Sequence, residues 1–259
     1  MKRLIVIVVV LLICNAGFAQ DLSLYEKHYH INGKDTLPYR LLLPANYDAS
    51  KKYPLVLFLH GAGERGNDNE KQLIHGSKLF LSDGARTKHP AIVVFPQCPT
   101  NSFWSNVSFK NDSAGKRQFI FSADAEPTPA MRMAQELLYH LIQKYPVEKM
   151  QVYVMGLSMG GMGTFEIVRR NPGLFAAAIP ICGGGAPSTA QQLKSTSWWV
   201  FHGAKDFTVP IKYSEEMVKA LEEVKARVKF TVYPDAGHNS WDPAFSEPDF
   251  LNWLFSHRR

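Results

Sequence analysis

Three residue types that together can perform nucleophilic catalysis each follow an apolar run in this 259-residue chain. Ser158 lies in Gly156-Leu157-Ser158-Met159-Gly160, Asp206 lies in His202-Gly203-Ala204-Lys205-Asp206, and His238 follows Asp235-Ala236-Gly237. A serine hydroxyl attacks poorly unless a histidine takes its proton and a carboxylate orients that histidine. The sequence therefore predicts Ser158 as nucleophile, Asp206 as acid and His238 as base.

The surroundings of Ser158 support this prediction more than the short pattern does. A Gly-x-Ser-x-Gly pattern occurs by chance in unrelated chains, where it is only a glycine-rich turn before a helix. Here a predicted strand ends at Met155, and a helical stretch over 165–170 ends before Asn171-Pro172-Gly173. A serine on such a sharp turn needs small neighbours two residues away on each side, and Gly156 and Gly160 meet that need.

The acid and the base are expected at the same edge of the sheet as the serine. Predicted strands over 198–201 and 229–233 run into Asp206 and His238, and open α/β sheets bind ligands beyond the carboxyl ends of their strands. Asp235 and Asp242 are alternative acids. Each is so close to His238 along the chain that reaching its far ring nitrogen is harder.

Two backbone amides are predicted to stabilise the oxyanion of a tetrahedral intermediate. Met159 directly follows the nucleophile and should supply the first. The second should come from His60-Gly61-Ala62-Gly63, after the predicted strand 55–60. Ala62 is the preferred donor, with Gly61 and Gly63 as alternatives.

Three further side chains are expected near the edge of the sheet that carries the catalytic residues. Gln97, Trp104 and Trp241 could shape a cleft for a sugar or an aromatic group, although packing in the core explains them equally well. His28 and His30 alternate on one predicted strand, but no third ligand with convincing spacing follows. The sequence predicts neither a metal nor a cofactor.

Alternating short apolar strands and amphipathic helices position these residues. Segments 22–31 and 36–43 flank Asn32-Gly33 and predict an antiparallel hairpin. Segments 55–60, 91–95 and 152–155 are continuously apolar, as strands covered on both faces are. Helices are predicted at 129–144, with Thr128 as N-cap and Pro129 at the first position, at 214–224 and at 250–257. The pattern favours an α/β fold with a mostly parallel central sheet flanked by helices on both faces.

Two segments do not fit this alternation. Residues 101–126 are rich in Ser, Asn, Asp and Phe, and are too long for a plain connection. Loops of that size usually serve binding, so this one is expected to wall the active site. Residues 64–82 are expected to hold a short helix.

The first nineteen residues predict a secretory signal peptide. Lys2 and Arg3 precede an apolar run over 4–13, and Ala19 offers a small residue for cleavage. An uncleaved anchor, and a lipoprotein modified at Cys14, are weaker alternatives, because the run is short for a bilayer and a bulky residue precedes the cysteine. Residues 20–259 then form one catalytic domain, periplasmic or extracellular, with no stable membrane anchor.

Charge and cysteine content limit the remaining functions. Loss of Lys2 and Arg3 lowers the formal net charge from +6 to +4, and without a clustered basic face no nucleic-acid partner is expected. Cys98 and Cys182 remain, and both follow predicted strands that end on one rim. A disulfide between them and two buried free thiols are both consistent with that placement.

Four motifs together resemble a known group of secreted bacterial hydrolases. They are Leu59-His60-Gly61-Ala62-Gly63-Glu64-Arg65-Gly66, Pro96-Gln97-Cys98-Pro99, Gly156-Leu157-Ser158-Met159-Gly160-Gly161 and Gly237-His238-Asn239-Ser240-Trp241. The chain resembles esterases and peptidases of the α/β-hydrolase fold related to dienelactone hydrolase and the prolyl oligopeptidase catalytic domain. The resemblance implies the same triad, and in several relatives the hydrolysis of acyl esters on carbohydrate. No propeller accompanies the domain, and serine stands where dienelactone hydrolases use cysteine.

Three functions follow from these predictions. The first is a serine carboxylic ester hydrolase acting through an acyl-enzyme on small-molecule or polysaccharide-linked esters, with feruloyl or acetyl groups favoured. The second is a serine peptidase acting on small peptides. The third is an inactive carbohydrate-binding or interaction protein on the same fold, which a broken triad would indicate.

Overall fold

The computed structural model describes residues 21–113, 115 and 117–259, so the predicted signal peptide lies outside the described residues. Its ten strands are β1 (Glu26–Asn32), β2 (Asp35–Leu42), β3 (Tyr53–Leu59), β4 (Ile92–Pro96), β5 (Val107–Asn111), β6 (Arg117–Phe121), β7 (Val147–Leu157), β8 (Ala177–Ile181), β9 (Ser197–Gly203) and β10 (Val228–Tyr233). Eight form one sheet in the order β1-β2-β4-β3-β7-β8-β9-β10. The last six of that order run parallel to one another.

The N-terminal hairpin is the antiparallel edge of the sheet. β1 pairs antiparallel with β2 from Glu26 opposite Leu41 to Asn32 opposite Asp35, and β2 pairs antiparallel with β4. Gly33 in the turn has φ of 60°, which glycine adopts without steric cost. The predicted mostly parallel sheet with an N-terminal antiparallel hairpin is confirmed.

Helices cover both faces of the sheet, as predicted. They are α1 (Asp83–Lys88), α2 (Pro129–Lys144), α3 (Met159–Arg170), α4 (Ala190–Leu193), α5 (Lys212–Glu223), α6 (Trp241–Phe245) and α7 (Phe250–Ser256). Leu55, Leu57 and Leu59 of β3 pack with α2, α3 and α5, whereas Val56 and Phe58 pack on the opposite face with α7. Because successive strand residues point to opposite faces, two apolar layers require a continuously apolar strand.

The start of α2 shows how local sequence sets an element. The Thr128 hydroxyl oxygen accepts a hydrogen bond from the Met131 amide at 3.1 Å, and Pro129 is the first helical residue. Thr128 also donates to the carbonyl of Phe103 at 2.6 Å. The predicted N-cap is confirmed, and it also anchors the chain that precedes the helix.

Both irregular segments contain regular structure, which was predicted only for 64–82. Within 101–126, β5 and β6 form a separate antiparallel hairpin, with Phe109 opposite Phe119. Alternating aromatic residues on one face of the hairpin pack against Met162, Val209 and Tyr213, and this contact gives the segment its regular structure. Within 64–82, where a short helix was predicted, the chain makes two short 3-10 helices, at Lys71–Leu73 and Ser77–Phe80.

The fold also shows the state of the two cysteines and whether any described helix could span a membrane. Cys98 and Cys182 are buried free thiols, so the disulfide alternative is wrong. In the part of the chain that the structure describes, no helix combines the length and apolar character that crossing a membrane requires.

Candidate active site

Ser158 occupies a strained turn between β7 and α3. Its φ of 54° and ψ of −117° lie where residues with a side chain are rarely found. The turn is packed so tightly that a methyl group at Gly160 would overlap the carbonyl group of Leu59, and one at Gly156 would overlap the carbonyl of Gly160. Glycine at both positions is therefore a steric requirement, and the turn lifts the serine hydroxyl above the end of the sheet.

Ser158, His238 and Asp206 form a continuous hydrogen-bonded chain. The Ser158 Oγ lies 2.9 Å from His238 Nε2, and His238 Nδ1 lies 2.7 Å from Asp206 Oδ2. A carboxylate only accepts, so His238 Nδ1 carries a proton and a neutral ring leaves Nε2 free to accept the serine proton. The structure thus brings together the three side chains that the sequence predicted, from loops after β7, β9 and β10. The alternative acid Asp235 is instead paired with Lys205 at 2.7 Å.

Asp206 is buried with donors at both of its carboxylate oxygens. Its Oδ1 accepts from the amides of Thr208 at 2.8 Å and Val209 at 2.9 Å. Burial by itself raises the pKa of Asp206, but hydrogen bonds from His202, His238 and the Val209 amide outweigh it and hold the pKa well below its ordinary value. The acid therefore remains ionised beside His238 across the neutral range.

His202 is a site residue that the sequence did not identify. It is fully buried, and its Nε2 lies 3.3 Å from Asp206 Oδ2. The same nitrogen is 2.8 Å from the carbonyl of Val209, an acceptor, so it carries a proton. Its Nδ1 lies 2.7 Å from the Ser214 hydroxyl. The spacing of four residues before Asp206 is the signal that could have revealed this contact.

Both predicted oxyanion donors lie beside the nucleophile turn. Met159 is the first residue of α3, where an amide has no acceptor within the helix. Ala62 begins a single 3-10 turn after β3, and the preceding Gly61 is so close to the turn that an added methyl would lie 2.9 Å from Leu157 Cδ1. The structure places both segments together, and the roles of the two amides stay predictions.

His60 fixes the loop that carries Ala62. The Cys98 amide donates to His60 Nε2 at 2.9 Å, so Nδ1 carries the proton and donates to the carbonyl of Gly61 at 2.6 Å. Burial lowers the pKa of His60 to about 4, and the ring stays neutral. These bonds tie the loop after β3 to the chain after β4.

Two of the three predicted substrate contacts are corrected. Gln97 is fully buried, its Oε1 accepts from the Asn69 amide at 2.7 Å, and its Nε2 donates to Asp68 at 2.9 Å. Trp104 is also fully buried, and its indole donates to the carbonyl of His60 at 3.1 Å. Neither side chain is accessible to a substrate, because each is buried and hydrogen-bonded to the loops beneath the site.

Trp241 lies beside the histidine of the predicted triad. Its half-buried ring packs against the ring of His238, with centroids 5.5 Å apart and planes at 84°. On its other side it meets His75, with centroids 5.1 Å apart. Its contact with a substrate stays a prediction.

Two of the three residues that could hold a metal already belong to the hydrogen-bonded chain. Among the described residues, Cys182, Asp206 and His238 form the one group of such ligands whose atoms lie within 4.8 Å of one another. Both ring nitrogens of His238 are hydrogen-bonded, and burial raises the pKa of the Cys182 thiol, which keeps it protonated. His28 and His30 have separate acidic neighbours, Glu26 and Glu136.

Comparison with known proteins identifies relatives of this chain. The profile of the Esterase family, described as "Putative esterase", matches residues 33–250. A rice protein (Oryza sativa subsp. japonica) named "Probable inactive carboxylesterase" is 25% identical over 203 residues, which are 71% of this chain and 77% of that protein.

Two solved structures share the fold. A thermostable esterase is 34% identical with a TM-score of 0.81, over 91% of this chain and 64% of that one, so this chain spans less than two thirds of its length. A CE1 ferulic acid esterase from Anaeromyces mucronatus, in complex with ferulic acid, is 15% identical with a TM-score of 0.64, over 90% of each chain. The predicted relationship to esterases of the α/β-hydrolase fold is confirmed.

Proposed function

The chain belongs to the Esterase family, and we propose from that premise that it hydrolyses carboxylic esters through a covalent acyl-enzyme on Ser158. The observation that carries the proposal is the unbroken hydrogen-bonded chain from Ser158 through His238 to Asp206, at 2.9 and 2.7 Å. Both distances are within the reach that proton transfer requires.

Acylation follows from this geometry. Ser158 Oγ attacks the acyl carbon while its proton passes to His238 Nε2, and the ionised Asp206 stabilises the imidazolium that forms. The amides of Met159 and Ala62 stabilise the negative charge on the carbonyl oxygen, each by about 10²- to 10³-fold in rate. His238 then gives its proton to the leaving alcohol oxygen as the C–O bond breaks.

Deacylation repeats these steps with water. His238 removes a proton from a water molecule, the hydroxide oxygen bonds to the acyl carbon, and Ser158 Oγ leaves and regains the proton. The products are a carboxylic acid and an alcohol, and no cofactor takes part.

Carbohydrate-linked acyl esters, feruloyl or acetyl, are the substrates we propose. The ferulic acid complex of the Anaeromyces mucronatus esterase supports this choice at the level of fold. A small-molecule or polysaccharide-linked ester is then the partner of this chain, with no nucleic acid involved.

Labelling and a substrate panel test the proposal. A fluorophosphonate should modify Ser158 in the folded protein, and nitrophenyl acetate and methyl ferulate should be hydrolysed. Ser158→Ala should lose the label and about 10⁴-fold or more in kcat. Turnover of aminoacyl anilides alone would establish the peptidase alternative. A folded protein that takes no label and cleaves none of these substrates would establish the inactive binding protein.

A further inference from the structure

A closed ring of contacts borders one side of the predicted triad. His238 contacts Trp241, Trp241 contacts His75 at 5.1 Å between ring centroids, and a His75 nitrogen lies 3.8 Å from a Glu64 carboxylate oxygen. The Glu64 carboxylate adjoins Gly61, where an added methyl would lie 2.9 Å from Oε2 and 2.9 Å from Leu157 Cδ1. Leu157 precedes Ser158, so the ring returns to the nucleophile, and Glu64, His75 and Trp241 form one wall of the site.

The chemistry of this wall suits a ring that carries hydroxyl groups. Glu64 is an acceptor whose side chain is 11% exposed, and His75 is an imidazole that is 31% exposed. Their 3.8 Å separation is longer than a hydrogen bond, yet a hydroxyl oxygen set to one side of the line that joins them can lie within hydrogen-bonding distance of both. The half-buried Trp241 adds an aromatic surface next to this pair.

A groove lies next to this wall and shares His75 with it. It encloses about 610 Å³ between residues 74–89 and 242–252, and Asp242, which follows Trp241, also lines it. Phe245 and Phe250 line its apolar side, and Lys78 and Glu247 contribute charged groups. Its volume lies within the usual range for small-molecule sites and suits a sugar with part of the chain attached to it.

The direction of proton transfer decides which part of an ester meets this wall. His238 Nε2 must deliver its proton to the leaving oxygen, so that oxygen lies beside His238. Trp241, one of the three wall residues, packs against the imidazole of His238. We propose that Glu64, His75 and Trp241 form a subsite that binds the alcohol part of the substrate, and that this alcohol is a sugar. The proposal rests on the ester hydrolysis proposed above.

Two esters with one acyl group and different alcohols test the subsite. The substrates are methyl ferulate and a feruloylated methyl arabinofuranoside, or the corresponding acetates if acetyl esters are cleaved faster. We expect the wild-type protein to have at least tenfold higher kcat/KM on the sugar ester. Glu64→Gln and His75→Gln should each reduce this preference about tenfold, mainly through KM, because the first replaces a charged acceptor by a weaker neutral amide and the second removes the ring nitrogen that faces the bridging hydroxyl.

Glu70→Gln is the matched control. Glu70 is an exposed carboxylate in segment 64–82, like Glu64. It pairs with Lys27 at 2.7 Å and takes no part in the wall. The substitution should leave the preference for the sugar ester unchanged.

The outcomes separate the two proposals. Equal kcat/KM on both esters in the wild-type protein, or an unchanged preference in the two variants, would overturn the subsite while ester hydrolysis stands. If Glu64→Gln stops turnover of both esters, the preference for the sugar ester is measured with His75→Gln alone. A reduced preference in that variant supports the subsite, and an unchanged one overturns it. A wild-type protein that cleaves neither ester and takes no phosphonate at Ser158 would overturn both proposals.

Discussion

At the scale of single residues, the acid of the predicted triad is held by two histidines. Asp206 Oδ2 lies 2.7 Å from His238 and 3.3 Å from His202, while Oδ1 accepts two backbone amides. His238 is partly exposed and must accept and release protons, whereas His202 is fully buried. The two imidazoles therefore have different tasks on the same carboxylate.

Replacing His202 should show that it positions Asp206. His202→Leu removes the N–H that lies between Asp206 and the Val209 carbonyl, so the acid can shift. We expect kcat to fall between about tenfold and 10²-fold with KM little changed, since small misplacements at reacting groups have effects of that size. His202→Gln keeps a donor and should recover part of the loss. Wild-type kcat in the leucine variant, measured by initial rates, would contradict this role.

The buried thiols should resist alkylation. Burial raises the pKa of Cys98 to about 12 and that of Cys182 further, because a thiolate is poorly solvated inside the protein. A raised pKa means less thiolate at any pH below it, so iodoacetamide at pH 8.5 should modify neither residue in the native protein. Both should react in urea, as peptide mass spectrometry would show. Native-state labelling, or a Cys98–Cys182 disulfide mass, would be the contrary result.

At the scale of elements, the nucleophile turn depends on how closely β3 approaches the start of α3. The backbone of Leu59 occupies the space that a side chain at Gly160 would need, and backbone cannot move aside as a flexible side chain can. The position of Ser158 is thus coupled to the packing of the whole central sheet.

Gly160→Ala should destabilise the fold. The methyl would overlap the Leu59 carbonyl, and we expect the free energy of unfolding to fall by about 3 kcal/mol or more. Urea denaturation measures the change. Gly84→Ala is the control, because nothing lies within 4 Å of its added methyl and the residue is in α1, where alanine is favoured by up to about 1 kcal/mol. Equal stability of the two variants would contradict the close approach described here.

The β5–β6 hairpin is fixed to α5 mainly through Tyr213. The Phe119 amide donates to the Tyr213 hydroxyl at 2.8 Å, and that hydroxyl lies 3.2 Å from Gln118 Oε1. Tyr213→Phe should cost about 1 kcal/mol and speed hydrogen exchange at the Phe119 amide. Tyr139→Phe removes a hydroxyl bonded at 2.8 Å to Asn171, away from the hairpin, and should leave that exchange rate unchanged. Unaltered exchange in Tyr213→Phe would show that other contacts, such as that of Lys212 Nζ with Gln118 Oε1 at 2.6 Å, are sufficient to hold the hairpin.

At the scale of the whole molecule, two apolar layers on opposite faces of one sheet support the three loops of the site. Each layer draws residues from the same strands, so neither face can be disrupted without affecting the other. Export, which the first nineteen residues predict, would bring the protein to the carbohydrate-linked esters proposed as its substrates if these lie outside the cytoplasm.

Expression of the full chain in a bacterial host tests export. The protein should be recovered outside the cytoplasm with Gln20 as its first residue, because the apolar run over 4–13 directs secretion and Ala19 precedes the cleavage site. Fractionation and intact mass measurement give the result. A variant without residues 4–13 should stay in the cytoplasm, and an uncleaved or acylated product would favour the anchor or lipoprotein alternatives.

Sequence alone determined the features that depend on neighbours along the chain. The hairpin turn at Gly33, the Thr128 cap, the continuously apolar strands and the glycines around Ser158 are all read from adjacent residues, because local backbone geometry restricts which residue types can occur there. The order of serine, acid and histidine after successive strands was sufficient to select Ser158, Asp206 and His238.

Only the tertiary structure decided which side chains are accessible and which meet across the chain. Gln97 and Trp104 were predicted at the substrate cleft but lie buried, since their partners Asn69 and His60 are 28 and 44 residues away in sequence. The contact of His202 with Asp206 and the regular hairpin within 101–126 were likewise not predicted, and the free thiols were one of two alternatives that the sequence left open. Burial depends on which distant segments pack against a residue, and the local sequence pattern does not specify those segments.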